Sequence, residues 1–307
     1  MGNFISWLKE SEGLTISDKL LVFFVKVFYL NFRIILRLAL GKKRRKRLYN
    51  ERGLEYGDFL CKAVKFFRPG SKLLKFKVPK YNYKFYCRPN KDDIKIMTMH
   101  EVDIIERFTP KQGDIVIDIG AHMGRYTIIS SKRVGTEGKV VAIEAHPGNF
   151  EMLNRNIKLN QLTNVIPLNY AVYSKETKIK LYLPEEESGN TIYNTIISDR
   201  ARNEEKFVDV NANTLDYLLQ SKGIKQEEVN WIKIDVEGAE FEVLKGATNI
   251  LSKSRDIALL IEIHNLRDST NLYRPIVDFL KSYNFKIEFE KSHEGGEKHI
   301  IVRKQQL

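Results

Sequence analysis

From Asp114 onward, short β-branched runs alternate with helical stretches, and this alternation constrains the fold more than any other feature of the chain. The runs are IVIDI, KVVAIEA, NVIPLNY, WIKIDV and IALLIEI, and the pattern predicts helices that begin near Gly124, Pro147, Thr214, Glu240 and Asn271. Strands that alternate with helices in this way form a parallel sheet. The sequence therefore predicts a doubly wound, mostly parallel α/β sheet.

Several segments depart from that alternation. Residues 178–210 contain KIKLYL, TIYNTIIS and KFVDV, which predict extra strands inserted near the edge of the sheet where a ligand would lie. Residues 286–302 predict a closing antiparallel hairpin, and residues 75–88 predict another, followed by a helix around residues 97–108. We therefore divide the chain into a helical extension (1–50), a lead-in of helix and hairpin (51–110) and the α/β domain (111–307).

A glycine turn joins the first buried strand to the helix after it. The segment IVIDIGAHMG contains Gly120 and Gly124, and Gly120 lets the backbone approach a ligand because it has no Cβ. Asp118 ends this strand, and Glu144 ends the next one, where an acid suits the hydroxyls of a ribose. His122 stands where a dinucleotide fingerprint has its second glycine. We predict a nucleoside cofactor; the alternative is a structural turn with a buried Asp.

Seven short motifs occur in order between about residues 88 and 302. They are R-P-N at 88–90 with acids at 92 and 93, H-E at 100–101, GDIVIDIGAHMGRYT, EAHPGNFEMLNRN, NYAV, KIDVEGAE and EIH. Together they resemble the FkbM-type methyltransferases, a class I group that mainly methylates oxygens of sugars and small natural products. The resemblance implies a Rossmann-like methyltransferase fold, S-adenosylmethionine as cofactor, and O-methylation of a sugar, glycolipid or other small molecule.

The resemblance also implies which residues form the cofactor pocket. Its members would be Gly120, Ala121, Gly124 and Glu144 in contact with S-adenosylmethionine, Asp118 beneath the methionine part, Ala171 near the adenine, and Glu101 closing the pocket from the preceding helix. The chain departs mildly from the family's pattern. His146 precedes Pro147 where a bare E-P is common, and His122 occupies a position that is usually small or polar.

Asp235, Glu262 and His264 follow or end two later strands, so they are expected at the carboxyl edge of the sheet. His264 is our first candidate for a general base because an ordinary imidazole is neutral at physiological pH, with Asp235 or Glu262 orienting it. A structural histidine is the alternative, and Glu237 and Glu240 have a simpler interpretation as helix caps. Two acids and one His are not diagnostic of a metal ion, so no metal site is predicted.

The first 50 residues carry most of the positive charge, +8 of the total of +12. A helix over residues 20–40 would place Lys26, Arg33 and Arg37 in one stripe beside a wide apolar face, and six cations follow at 42–47. We predict that residues 19–47 lie on an anionic membrane surface. A helix that covers the core and a membrane span are the alternatives. A span is disfavoured because each central charge costs about 2.5–3.5 kcal/mol.

Cysteine content and charge distribution limit the other classes of function. Cys61 and Cys87 form neither a disulfide framework nor a zinc signature, so we expect a cytoplasmic protein. With the basic segment at residues 19–47, we expect it to be peripheral at the inner face of the membrane. RNA methylation is the second hypothesis. It is less favoured because the basic residues cluster outside the α/β domain. A catalytically silent membrane adaptor is a further alternative. The expected partner is a small-molecule or glycan acceptor rather than a nucleic acid, and the oligomeric state stays open.

Overall fold

The computed structural model describes residues 73–78, 83–88, 93, 101–182, 207–264, 272–293 and 296–305. The chain divides into two compact units, Met1–His100 and Glu101–Leu307. The predicted membrane-surface segment (19–47) and the strand predicted within residues 191–198 lie outside the described residues, as does Cys61.

The first unit contains a hairpin at the predicted position. Strand β1 (Leu74–Val78) pairs antiparallel with β2 (Tyr83–Cys87). Arg88, directly after β2, donates hydrogen bonds from its backbone N–H and its guanidinium to the Asp93 carboxylate at 2.7–3.0 Å. Two residues of the first motif therefore form a bidentate ion pair that holds the chain where it leaves the hairpin.

Seven strands form the main sheet of the second unit. In sheet order they are β11 (Phe285–Ser292), β12 (Lys298–Lys304), β10 (Ala258–Ile263), β9 (Val229–Ile234), β3 (Ile115–Ile119), β4 (Lys139–Ile143) and β5 (Val165–Leu168). The strands from β10 to β5 are parallel to one another, whereas β12 pairs antiparallel with both β10 and β11. The predicted doubly wound sheet and its C-terminal antiparallel hairpin are confirmed.

Helices follow the strands close to the predicted starting points. The described helices are α1 (Val102–Arg107), α2 (Arg125–Val134), α3 (Pro147–Leu159), α4 (Leu215–Gln220), α5 (Glu240–Lys245), α6 (Thr248–Lys253) and α7 (Tyr273–Ser282). Side chains cap two of them: the His146 ring accepts the N–H of Asn149, and the Thr214 hydroxyl accepts the N–H of Tyr217. Among the described helices, none has the length and apolar character needed to cross a bilayer.

The inserted strands form a small sheet of their own, in the order β6 (Ala171–Val172), β8 (Phe207–Asn213), β7 (Thr177–Tyr182). The main sheet has a core on both faces, because successive strand residues, whose side chains point to opposite faces, are both fully buried: Val116 and Ile117 in β3, and Val140 and Val141 in β4. Two-sided burial explains why these strands appear in the sequence as continuous apolar runs. It also leaves the strand ends as the places where polar side chains gather.

Candidate functional site

The winding of the main sheet reverses between β3 and β9. The chain runs from β3 outward to β4 and β5, and β9 then lies on the other side of β3. In open α/β sheets, ligands bind beyond the carboxyl ends of the strands at such a reversal. The backbone N–H of Asp235 donates to the carbonyl of Ile119 at 3.2 Å, which holds the two strand ends together. The candidate site therefore lies over the ends of β3 and β9.

Gly120 fits closely against the chain that follows β9. Its φ is +74°, and a Cβ at this position would lie 1.8 Å from the carbonyl oxygen of Asp235. Gly124 has a different neighbour, because a Cβ there would lie 2.7 Å from the Leu153 side chain. Gly120 is therefore required for the junction of two strand ends and Gly124 for the packing of α2 on α3. Contact of either residue, or of Ala121 between them, with the cofactor stays a prediction.

The carboxylate of Glu144, at the end of β4, is held by two backbone donors. Its Oε2 accepts the N–H of His122 at 2.7 Å, and its Oε1 accepts the N–H of His146 at 2.8 Å. Burial raises the pKa of Glu144 to about 7, although both N–H groups oppose that shift. Each carboxylate oxygen keeps accepting capacity beyond these bonds, which suits a pair of ribose hydroxyls. The two histidines that depart from the family's pattern thus contribute their backbone to this site.

Asn169 ties the end of β5 to Glu144. Its side-chain amide donates to the carbonyls of Glu144 at 2.8 Å and Ala145 at 3.0 Å. Ala171, which the resemblance places near the adenine, follows two residues later and is buried at the start of β6. The NYAV motif therefore joins the backbone at Glu144 to the small inserted sheet.

Lys233 is a buried cation to which sequence reasoning assigned no role. It lies in β9 with only 5% of its surface exposed. Its Nζ donates to the carbonyl of Gly120 at 3.0 Å and lies 3.3 Å from Asp235 and 3.6 Å from Asp118. Burial disfavours the charged form, but the two carboxylates outweigh it and raise the pKa of Lys233. The sequence feature that could have identified Lys233 is a lysine inside the apolar run WIKI, on a strand that is buried on both faces.

Asp118 is an internal charge, with none of its surface exposed. Its Oδ2 accepts the hydroxyl of Thr127 at 2.6 Å, and its Oδ1 faces Lys233 without a hydrogen-bond donor among the described residues. Asp118 therefore balances the Lys233 charge and anchors the start of α2. Its predicted place beneath the methionine part of the cofactor stays a prediction.

Carboxylates and imidazoles gather beyond β9, β10 and β12. The His264 ring, 3% exposed, has Nδ1 at 2.8 Å from Glu240 and Nε2 at 3.4 Å from Glu237 and 3.8 Å from Glu262. The other oxygen of Glu262 lies 3.3 Å from Nε2 of His299. Glu262 therefore lies between two buried imidazoles, of which sequence reasoning had identified one.

The surroundings of His264 differ from the ordinary imidazole on which its choice as general base was based, and that choice stays a prediction. Burial alone would lower its pKa, but the carboxylates of Glu237 and Glu240 outweigh burial and raise the pKa well above 6.5. The orienting group also differs, because Glu240 contacts Nδ1 in place of Asp235 or Glu262. Glu262 is a second candidate for proton removal, since burial and the charge of Asp235 raise its pKa above the usual value of a glutamate.

Glu101 begins α1 and faces the same cluster from another side. The hydroxyl of Tyr126 donates to its Oε2 at 3.2 Å, and its Oε1 lies 4.0 Å from Nε2 of His299. This residue therefore lies between α2 and β12, close to Glu262. Whether it also closes the cofactor pocket stays a prediction.

Comparisons with known proteins identify the family of this domain. A family model described as the methyltransferase FkbM domain matches residues 118–287, more than half of the chain. Hexuronic acid methyltransferase AglP of Haloferax volcanii is 30% identical over 154 residues, covering 50% of this chain and 57% of that protein. Methyltransferase sdnD of Sordaria araneosa is 29% identical over 177 residues, covering 50% of this chain and 66% of that protein. The chain thus spans less than two thirds of each relative.

A solved structure shows a weaker likeness. The crystal structure of methyltransferase FkbM from Methylobacillus flagellatus matches with a TM-score of 0.42 at 15% identity, covering 69% of this chain and 54% of that chain.

Proposed function

The chain belongs to the FkbM family of S-adenosylmethionine-dependent methyltransferases, and from this premise we propose that it methylates a hydroxyl oxygen of a sugar, glycolipid or other small molecule. The observation that carries the proposal is the Glu144 carboxylate, held by two N–H donors one strand away from the Gly120 turn. An acid at this position accepts ribose hydroxyls. The name of the relative AglP, a hexuronic acid methyltransferase, supports a saccharide acceptor.

For this reaction the protein must align the methyl donor with the acceptor hydroxyl and remove one proton from that hydroxyl. Bound S-adenosylmethionine would supply the methyl group, with a new oxygen–carbon bond replacing the carbon–sulfur bond and the sulfur left as a neutral thioether. We assign the hydroxyl proton to Glu262, whose side chain is 16% exposed at the end of β10. Asp235, 31% exposed beyond β9, is the other carboxylate available to position the acceptor.

The charge of the site supports a small hydroxylated acceptor over RNA. Asp235, Glu237 and Glu262 lie together beyond β9 and β10, and nucleic-acid sites instead present Lys and Arg to the phosphates. The acidic surroundings would repel a phosphodiester backbone. RNA methylation is therefore the weaker candidate for this site.

The test supplies the protein with S-adenosylmethionine that carries a labelled methyl group and offers saccharides, glycolipids and tRNA as separate acceptors. We expect label in a hydroxylated acceptor as an ether that survives mild base. Glu262→Gln should lose turnover and keep S-adenosylhomocysteine binding, whereas the exposed Glu288→Gln should resemble wild type. Label transferred to tRNA alone would replace this proposal with RNA methylation, and failure of the folded protein to bind the cofactor would favour the silent adaptor.

We also propose that residues 19–47 attach the enzyme to an anionic membrane surface, supported by their cationic stripe and by the basic run at 42–47. The intact protein should sediment with phosphatidylserine vesicles and be released by high salt. Vesicles of phosphatidylcholine alone are the control. A protein that stays in the supernatant with both would refute the attachment.

A further inference from the structure

We propose that Asp235, Glu237 and His264 bind a divalent metal ion of the Mn²⁺ class beyond the ends of β9 and β10. One potential ligand atom of each residue lies within 4.8 Å of the other two. Ligand atoms around one ion at about 2.1–2.3 Å lie about 3–4.5 Å apart, so small side-chain rotations complete the set. Two carboxylate oxygens with one imidazole nitrogen suit Mn²⁺ and leave positions open for water or a substrate oxygen.

Glu240 orients His264 in the way that metal-binding histidines are usually oriented. Its Oε1 lies 2.8 Å from Nδ1 and also accepts the N–H of Gly238 at 2.8 Å. An ionised carboxylate only accepts hydrogen bonds, so Nδ1 carries a hydrogen, and Nε2 is the atom that would coordinate, with the ion replacing the hydrogen that the protonated ring carries there. In the described part of the chain, Nε2 makes only the longer contacts with Glu237 and Glu262. This buried, oriented imidazole, 3% exposed, adds a nitrogen ligand to the carboxylates of the site.

An unusual backbone conformation positions the second carboxylate of the site, that of Glu237. Glu237 has a φ of +54°, in the left-handed region, and Gly238 after it has a φ of +105°. A non-glycine residue persists in this region when its surroundings hold it there, and such residues concentrate at functional sites. The turn after β9 thus places Glu237 beside Asp235, and His264 lies directly after β10.

The balance of charge also favours a cation. Four carboxylates gather here, those of Asp235, Glu237, Glu240 and Glu262. Lys233 contacts Asp235 at 3.3 Å, but it also faces the buried Asp118 at 3.6 Å. The imidazoles of His264 and His299 contact Glu240 and Glu262, so these three cationic groups face the four carboxylates and Asp118. A divalent ion supplies the positive charge that lets carboxylates share a buried site.

The use of this metal rests on the proposed function, whereas its binding does not. Asp235 meets Gly120 across the strand junction, so an oxygen bound to the ion would lie beside the cofactor turn. The ion would hold the acceptor hydroxyl and stabilise the developing alkoxide, while Glu262 takes the proton. The metal ligands Asp235, Glu237 and His264 would thus hold the acceptor through the ion, and Glu262 would remove its proton.

The experiment measures Mn²⁺ binding to the chelator-treated, full-length protein without cofactor, by electron paramagnetic resonance of the free ion. We expect binding of one ion per chain. His264→Ala and Glu237→Gln should weaken binding by more than tenfold, and Glu240→Gln, which changes the orienting group, by about 10-fold to 100-fold. Glu288→Gln, an exposed acid of β11, is the matched control and should bind like wild type. Every variant is required to bind S-adenosylhomocysteine, which shows that it is folded.

The results distinguish failure of the metal site from failure of the proposed methyltransferase function. Wild-type protein that binds S-adenosylhomocysteine but not Mn²⁺ overturns the metal site and leaves the methyltransferase proposal intact. Binding that only His299→Ala removes would place the ion in the neighbouring group of Glu101, Glu262 and His299, and would also overturn the proposal. Mn²⁺ binding that depends on His264, with no methyl transfer to any hydroxylated acceptor, supports the metal site and counts against the proposed function.

Discussion

The Glu144 carboxylate should make cofactor binding depend on pH. In the ligand-free protein, burial raises the pKa of Glu144 to about 7. Ribose hydroxyls that donate to this group favour its ionised form, because an ionised carboxylate accepts hydrogen bonds at both oxygens. Binding below pH 7 therefore requires the loss of a proton. The affinity should be full above that pH and should fall as the pH decreases.

The size of the effect follows from the ionised fraction. With a pKa of about 7, this fraction is about 0.9 at about pH 8 and about 0.03 at about pH 5.5. If only the ionised form binds the ribose, the Kd should rise about 30-fold over this range, which corresponds to about 2 kcal/mol.

Calorimetric titration with S-adenosylhomocysteine measures this dependence, because the ligand lacks the sulfonium and its amino-acid part stays zwitterionic across the range. Glu144→Gln should bind weakly at high pH and lose most of the dependence, whereas Glu151→Gln, an exposed acid on α3, should keep the full profile. A flat profile for wild type would refute the reasoning. A slope that survives in Glu144→Gln would assign the titration to another group.

Three further predictions concern the framework of the domain and are measured by urea unfolding. Gly120→Ala should destabilise the protein by about 2–4 kcal/mol, because its Cβ would overlap a carbonyl oxygen. Gly223→Ala, with φ +69° but open space around it, should cost only about 1–2 kcal/mol, and equal costs would contradict the steric argument. Lys233→Met should cost about 3–5 kcal/mol by leaving buried carboxylates without their cation, and adding Asp118→Asn should recover part of it unless the charge is unimportant. Asn164→Ala should cost about 1–3 kcal/mol because two carbonyls lose its amide; no change would show that water replaces it.

The sequence determined the sheet and its direction because these depend on local pattern. Strands buried on both faces need continuous apolar runs, and helices between them force a parallel arrangement. The spacing of Gly120 and Glu144 was readable for the same reason, since each lies directly after its own strand. The strand-end residues Asp235 and Glu262 could likewise be placed at one edge of the sheet without any knowledge of their partners.

Only the tertiary structure decided the partners and charge states of these groups. Lys233 bonds to the carbonyl of Gly120 across 113 residues, and His264 meets Glu240 across 24, so neither contact is written in a local pattern. A pKa depends on burial and on the charges nearby, both of which arise when distant strands meet. For that reason the sequence placed His264 at the correct edge but could not show that surrounding carboxylates raise the pKa of its ring.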